Sequence, residues 1–280
     1  MRSGKFRFPA TNQKNPPMQS HDKAQETART LRQLGRRGER TACLPDHLRP
    51  ATRAEGYMAQ ACLEGFSAQP LFGWKIAATS KAGQEHINVD GPLAGRLLAE
   101  RRIAAGAEVP LTGNQMLVVE AEFAFRMAQN LAPRAQPYTR DQVVAAIGSL
   151  HPALEVPNSR FAPFEAAGAP QLIADNACAE YFLIGEAAPE SWRSIDLARH
   201  SVSARDASGA IHTGSGANVL GDPLIALTWL ANELSSQAII LKAGQVVITG
   251  TCIKPFAVKP GDHVLADFGP IGSIDARFVP

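Results

Sequence analysis

The stretch Val118-Val119-Glu120-Ala121-Glu122-Phe123-Ala124-Phe125 decides how the chain is read. On a β-strand, residues i and i+2 point to the same face. Glu120 and Glu122 therefore project together, while Val119, Ala121 and Phe123 occupy the other face. Two adjacent carboxylates repel, and in a segment this apolar they need a cation or a shared proton, unless the strand face is simply solvated. Glu155, in His151-Pro152-Ala153-Leu154-Glu155-Val156-Pro157, adds a third carboxylate on another short apolar strand. Oxygen ligands without His or Cys nearby favour a hard ion, Mg²⁺ or Mn²⁺ rather than Zn²⁺. Three carboxylates balance a divalent ion and leave positions for water and a chelating substrate.

Around this stretch the chain alternates short apolar runs with Gly and Pro. The pattern predicts strands over 73–77, 117–127, 153–156, 178–184, 202–207, 245–249, 262–268 and 273–278. Helices are expected over 22–38, 52–68, 81–87, 139–149 and 222–235, the last opened by Asp222 as N-cap and Pro223 at its first position. Many strands with few crossover helices argue against a doubly wound sheet and for an α+β protein with a curled, mostly β body. Three regions are expected: a disordered basic tail over 1–20, a helical N-terminal region over 21–70 and a catalytic body over 71–280.

Composition narrows the function classes. The 280 residues carry 28 Lys+Arg against 26 Asp+Glu, too even for a nucleic-acid surface or a polybasic membrane footprint. Residues 1–20 hold four of those bases and no acid, so the remainder is slightly acidic. No apolar run approaches the roughly 18 residues that span a bilayer, and no secretory signal opens the chain. Cys43, Cys62, Cys178 and Cys252 are scattered, which points to reduced thiols and a cytoplasmic location.

Other side chains carry possible chemistry. Lys75 interrupts Phe72-Gly73-Trp74-Lys75-Ile76-Ala77; it either snorkels to water or is desolvated and needs an anion. Asp175, Asn176 and Arg160 border β-rich stretches and suit structural hydrogen bonds as well as ligand contacts. Thr249-Gly250-Thr251 ends an apolar strand in a turn whose N–H groups suit a carboxylate. Gly214-x-Gly216 lacks the spacing and βαβ setting of a dinucleotide loop.

GWKIAATS (73–80), VDGPLAGRL (89–97), VEAEFAF (119–125), PALEVPNSRF (152–161), ADNA (174–177), GANVLGDPLIALTWLANEL (216–234) and the closing VITGT…VKPGDHVLADFGPIGSIDARF together resemble the 2-keto-4-pentenoate hydratase branch of the fumarylacetoacetate hydrolase superfamily. The resemblance runs from about residue 25 to the C-terminus. It implies a β-roll body behind a helical region, a homo-oligomer, and a small 2-oxo acid or 2-hydroxydienoate substrate from aromatic degradation. It also implies Glu120, Glu122 and Glu155 as Mg²⁺ or Mn²⁺ ligands and Lys75 as the catalytic lysine. Asp175, Arg160, Thr249, Gly250 and Thr251 become substrate-pocket residues. One departure stands out. Family hydratases typically carry an acid just before the glycine of the V-D-x-P stretch, where this chain has Leu93. Hydration of a 2-hydroxydienoate to a 4-hydroxy-2-oxo acid is the leading expectation. Decarboxylation, tautomerisation or acylpyruvate hydrolysis on the same metal platform is the alternative, with non-catalytic binding of a 2-oxo acid a third.

Overall fold

The computed structural model describes residues 20–104 and 106–280. The expected tail over 1–20 lies, but for Ser20, outside them.

Two helices come first, α1 (Ser20–Arg37) and α2 (Arg53–Ala61), the second capped by the Thr52 side chain and continued by a 3₁₀ turn over Cys62–Phe66. The chain then runs through β1 (Gly73–Ala77), α3 (Lys81–His86), β2 (Leu93–Leu97), β3 (Glu108–Pro110), β4 (Val118–Met127) and α4 (Arg140–Ala145). Next come β5 (Ile147–Val156), α5 (Ala169–Ala174), β6 (Tyr181–Ile184), β7 (Ser201–Arg205), β8 (Ile211–Ser215) and α6 (Pro223–Ser236). β9 (Val246–Thr251), β10 (Phe256–Ala257), β11 (His263–Asp267) and β12 (Ser273–Val279) close the fold.

Two mixed sheets with few helices make this the expected α+β arrangement. One sheet has the order β2-β1-β9-β4-β5-β6, with β10 added on β4; the other has the order β3-β12-β11-β7-β8. Asp222 caps α6 with Pro223 at its start, and Thr139 caps α4 in a reciprocal capping box. α4 nevertheless stops at Ala145. The residues from Ile147, expected to be helical, belong instead to β5, because pairing with β4 satisfies their backbone groups and buries Leu150 and Leu154. The same pairing carries β5 well upstream of the predicted 153–156.

The first sheet curls on itself. Leu97 from one edge strand and Phe182 from the other fall in one apolar cluster with Ala124, Ala153, Ile184, Val246 and Ile248. Arg102 bridges Phe182 in parallel, and Ile103 N donates to Phe182 O at 2.9 Å, nearly joining the edges. The outer face, through Trp74, Ile76, Val119, Ala121, Phe123 and Phe125, packs into the main core with the second sheet and the helices. Alternation along each strand thus fills two separate cores.

Candidate active site

The β4–β5 register assembles the carboxylates. Glu120 stands directly opposite Glu155 and Glu122 opposite Ala153, so all three acids share the inner face at one end of the curled sheet. One oxygen from each lies within 4.8 Å of the others. Glu122 and Glu155 are buried, at 0% and 1% exposure, and Glu120 is half-buried.

β1 delivers the lysine. It runs parallel to β9, the neighbour of β4 on its other side, and puts Lys75 level with Ile248. The buried Nζ lies 3.0 Å from Glu155 Oε1 and donates to Ala177 O at 3.2 Å. Gly95 on β2 faces Lys75, and a Cβ there would come within 2.9 Å of Lys75 Cγ and 2.6 Å of Asn176 O, so only glycine leaves the lysine its path. Three successive left-handed residues, Asn176, Ala177 and Cys178, shape the turn that offers the Ala177 carbonyl. Asn176 pins that turn to β2: its Oδ1 accepts from Arg96 N at 2.7 Å, and its Nδ2 donates to Arg96 O at 2.8 Å.

Electrostatics explain why the cluster calls for a cation. Burial, then Glu155 and Glu120, push the Glu122 carboxyl well above the usual carboxylate range. Burial likewise raises Glu155 to about 7, against the opposing pull of Lys75. Burial would discharge Lys75, but Glu155, Glu120 and Glu122 outweigh it and hold the ammonium charged. Gly250 N donates to Glu122 Oε2 at 2.5 Å, and among the described residues Glu122 Oε1 and Glu155 Oε2 are buried without a donor. Orphaned oxygens on two buried acids, a third carboxylate beside them and a surplus of negative charge over one lysine fit a hard divalent ion.

The remaining expected residues divide between two places. Gly250 reaches the cluster; its φ of 111° is in the region that favours glycine, and a Cβ would meet Thr79 Oγ1 at 2.1 Å. The hydroxyls of Thr249 and Thr251 instead bind the Phe123 and Ile253 carbonyls. Arg160 and Asp175 pair with each other behind the 175–178 turn. Arg160 N and Ser159 Oγ each donate to Asp175 Oδ2 at 2.8 Å, the Arg160 Nε bonds Asp175 Oδ1, and Arg160 Nη1 reaches Glu180 at 2.9 Å. Leu93, opposite Ala77, is buried on the same side of the sheet as Lys75. Sequence reasoning singled out Asn176 for structural hydrogen bonds but not its partner Arg96, and it missed the Ala177 carbonyl and the packing of Thr79 on Gly250. A backbone acceptor leaves no residue-type signal, although ADNA and GWKIAATS contain all three positions.

Known proteins resemble this chain in sequence and in fold. The model of the fumarylacetoacetate (FAA) hydrolase C-terminal family matches residues 90–279. A 2-keto-4-pentenoate hydratase of Paraburkholderia xenovorans is 32% identical over 208 residues, which is 74% of this chain and 76% of that protein. A 2-oxo-hept-4-ene-1,7-dioate hydratase of Escherichia coli is 32% identical over 219 residues, covering 75% and 79%. A solved 4-oxalocrotonate decarboxylase of Pseudomonas putida G7, complexed with magnesium and adipate, shares the fold with a TM-score of 0.84 at 24% identity, over 94% of this chain and 100% of that one. By the family match and the identity to these hydratases, the chain belongs to the fumarylacetoacetate hydrolase family.

Proposed function

We propose that the chain is a divalent-metal-dependent hydro-lyase that adds water to a small 2-hydroxydienoate, such as 2-hydroxypenta-2,4-dienoate, giving a 4-hydroxy-2-oxo acid in aromatic-compound degradation. The observation that carries this reading is the buried Lys75–Glu155 pair beside Glu120 and Glu122, with one oxygen from each of the three acids within 4.8 Å of the others. Glu120, Glu122 and Glu155 would hold Mg²⁺ or Mn²⁺, and such an ion supplies Lewis-acid stabilisation of negative charge developing on the C2 oxygen of a 2-oxo acid.

The chain's own groups prepare the site. Lys75, kept charged by its three acids, presents an ammonium to the same developing charge. Gly95 and the Ala177 carbonyl fix its path, so little reorganisation is left for the reaction. The Gly250 N–H orients Glu122, and the apolar cluster of Ala124, Ala153 and Ile248 closes the lumen beneath to water. Thr249, Gly250 and Thr251 form the adjoining pocket wall. Asp175 and Arg160 act on the substrate side by holding the turn that carries Ala177. The helical segment 21–70 serves the catalytic body 71–280, to which α2 is tied by Gln60 Nε2 donating to Ala94 O and Ile173 O. Among the described residues no helix is long and apolar enough to cross a membrane. A cytoplasmic homo-oligomer completes the proposal.

Leu93 supports a second reading. An alkyl side chain transfers no proton, and a 4-oxalocrotonate decarboxylase of Pseudomonas sp. is 28% identical over 204 residues. Decarboxylation of a 2-oxo dioate, tautomerisation or acylpyruvate hydrolysis needs the same charge stabilisation without that acid. The test is to supply 2-hydroxypenta-2,4-dienoate with Mg²⁺, follow loss of dienol absorbance and identify the product. A 4-hydroxy-2-oxo acid is expected. Ketonisation with no hydrated product, or carbon dioxide release from a 2-oxo dioate in its place, overturns hydration in favour of the second reading.

A further inference from the structure

A crevice of about 400 Å³ lies behind the 175–178 turn, between α1, the 3₁₀ turn after α2, and the start of β6. Asp175 and Asn176 line it, whereas the next residue, Ala177, turns its carbonyl to Lys75. The turn therefore separates the crevice from the carboxylate cluster.

Its charge is unbalanced. Five arginines and three carboxylates line it, an excess of two positive charges. At the floor, buried Arg160 is held by Asp175 and shares Glu180 with Arg101, whose Nη1 lies 2.8 Å from that carboxylate. Arg96 stacks on Trp74 and pairs with Glu64, which lies outside the lining. That pairing is offset by Arg40, which lies beside Arg160 and has a buried Nε without an acceptor. At the rim, Arg32 and Arg36 sit one helical turn apart on α1, and among the described residues neither has a carboxylate within 4.0 Å. Arg32 instead lies over the Phe66 ring, 4.7 Å from its centroid. A cation at the last turn of a helix answers the macrodipole and accounts for Arg36. It does not account for Arg32, a turn earlier and crowded by Arg36 and Arg101.

We propose that this crevice binds a compact dianionic oxyanion, a phosphate or a short dicarboxylate, with Arg32 and Arg36 closing over it from α1. Two negative charges match the excess, and guanidinium forks suit planar or tetrahedral oxyanions. The site is distinct from the carboxylate cluster and shares with the proposed reaction only the Arg160–Asp175 pair that braces the 175–178 turn.

The test is calorimetric titration of inorganic phosphate, and separately of succinate, into the Mg²⁺-loaded full chain at fixed ionic strength, with acetate as the monoanion. Saturable binding of phosphate or succinate is expected, at least about tenfold tighter than acetate. Arg32→Gln/Arg36→Gln should weaken it by about tenfold or more, the loss of one charge-assisted contact or better. Glu122→Gln, which removes a carboxylate of the catalytic cluster, should leave it unchanged. Should the double variant fail to fold, by circular dichroism, the exposed Arg36→Gln alone is read in its place. No saturable binding, equal affinity for acetate, or binding lost in Glu122→Gln but kept in the arginine variant overturns the proposal. Preference between phosphate and succinate identifies the source of the dianion.

Discussion

Replacing a proposed metal ligand, Glu122→Gln, should stabilise the metal-free protein. Glu122 is fully buried, one of its oxygens lies within 4.8 Å of an oxygen from each of two other carboxylates, and its carboxyl is pushed well above the ordinary value of 4.5. At such a separation two ionised carboxylates repel by about 3 kcal/mol at an effective dielectric near 20. Linkage has the same sign. A carboxyl whose folded pKa is raised contributes stability that is fully present below its unfolded pKa and is lost as pH climbs towards the folded one, at about 1.4 kcal/mol for each pH unit between the two. Glutamine removes that cost. Its Oε1 keeps the Gly250 N–H bond, and its Nε2 offers a donor to the orphaned Glu155 oxygen. Thermal melts in chelator should show the variant above the parent by roughly 5 °C at pH 7 and level with it near pH 4.5. Mg²⁺ at about a thousandfold excess over Kd should reverse the order, raising the parent by about 4.1 kcal/mol and leaving the variant where it was. A variant that melts lower than the parent in chelator at pH 7, or a difference that does not change with pH, would refute the argument that burial and like charge dominate this site.

Mg²⁺ must displace protons from Glu155, raised to about 7, and from Glu122, which burial and its neighbouring acids also raise; affinity measured by calorimetry should therefore fall as pH drops through 7, with proton uptake by the buffer on binding. An affinity flat between pH 6 and 8 would contradict this. Gly250→Ala forces a Cβ onto Thr79 at a φ of 111°, so it should cost at least about 2 kcal/mol in urea melts and weaken Mg²⁺ binding by misplacing Glu122; a silent substitution would show that the turn is not held as described.

Elements with strong local patterns were legible in the sequence. β4 follows from the alternation of Val119, Ala121 and Phe123 with Glu120 and Glu122, β1 from Trp-Lys-Ile between glycine and alanine, and α6 from its Asp-Pro start. β2 is harder, since Leu93-Ala94-Gly95-Arg96-Leu97 is buried on both faces and follows Gly91-Pro92, which reads as a loop. β8 carries Gly214 where a strand usually carries bulk, and α5 is only six residues long. β5 and α4 were confused because Val143-Val144-Ala145-Ala146-Ile147 is an apolar run without a period, and only pairing with β4 decides where the helix ends.

The sequence alone determined that Glu120 and Glu122 share a face, because a strand repeats every two residues, and it left Lys75 either snorkelling to water or desolvated beside an anion. It also identified the family, through motifs spread along most of the chain. Only the tertiary structure decided that Glu155 stands opposite Glu120, a contact set by the β4–β5 register across 35 residues. It alone brought Lys75 to Glu155 through the parallel β1–β9 pairing, and turned Arg160 and Asp175 towards each other. The physical reason is range: strand periodicity acts between neighbours in the chain, whereas register and sheet order are set by hydrogen bonds and packing between segments far apart in sequence.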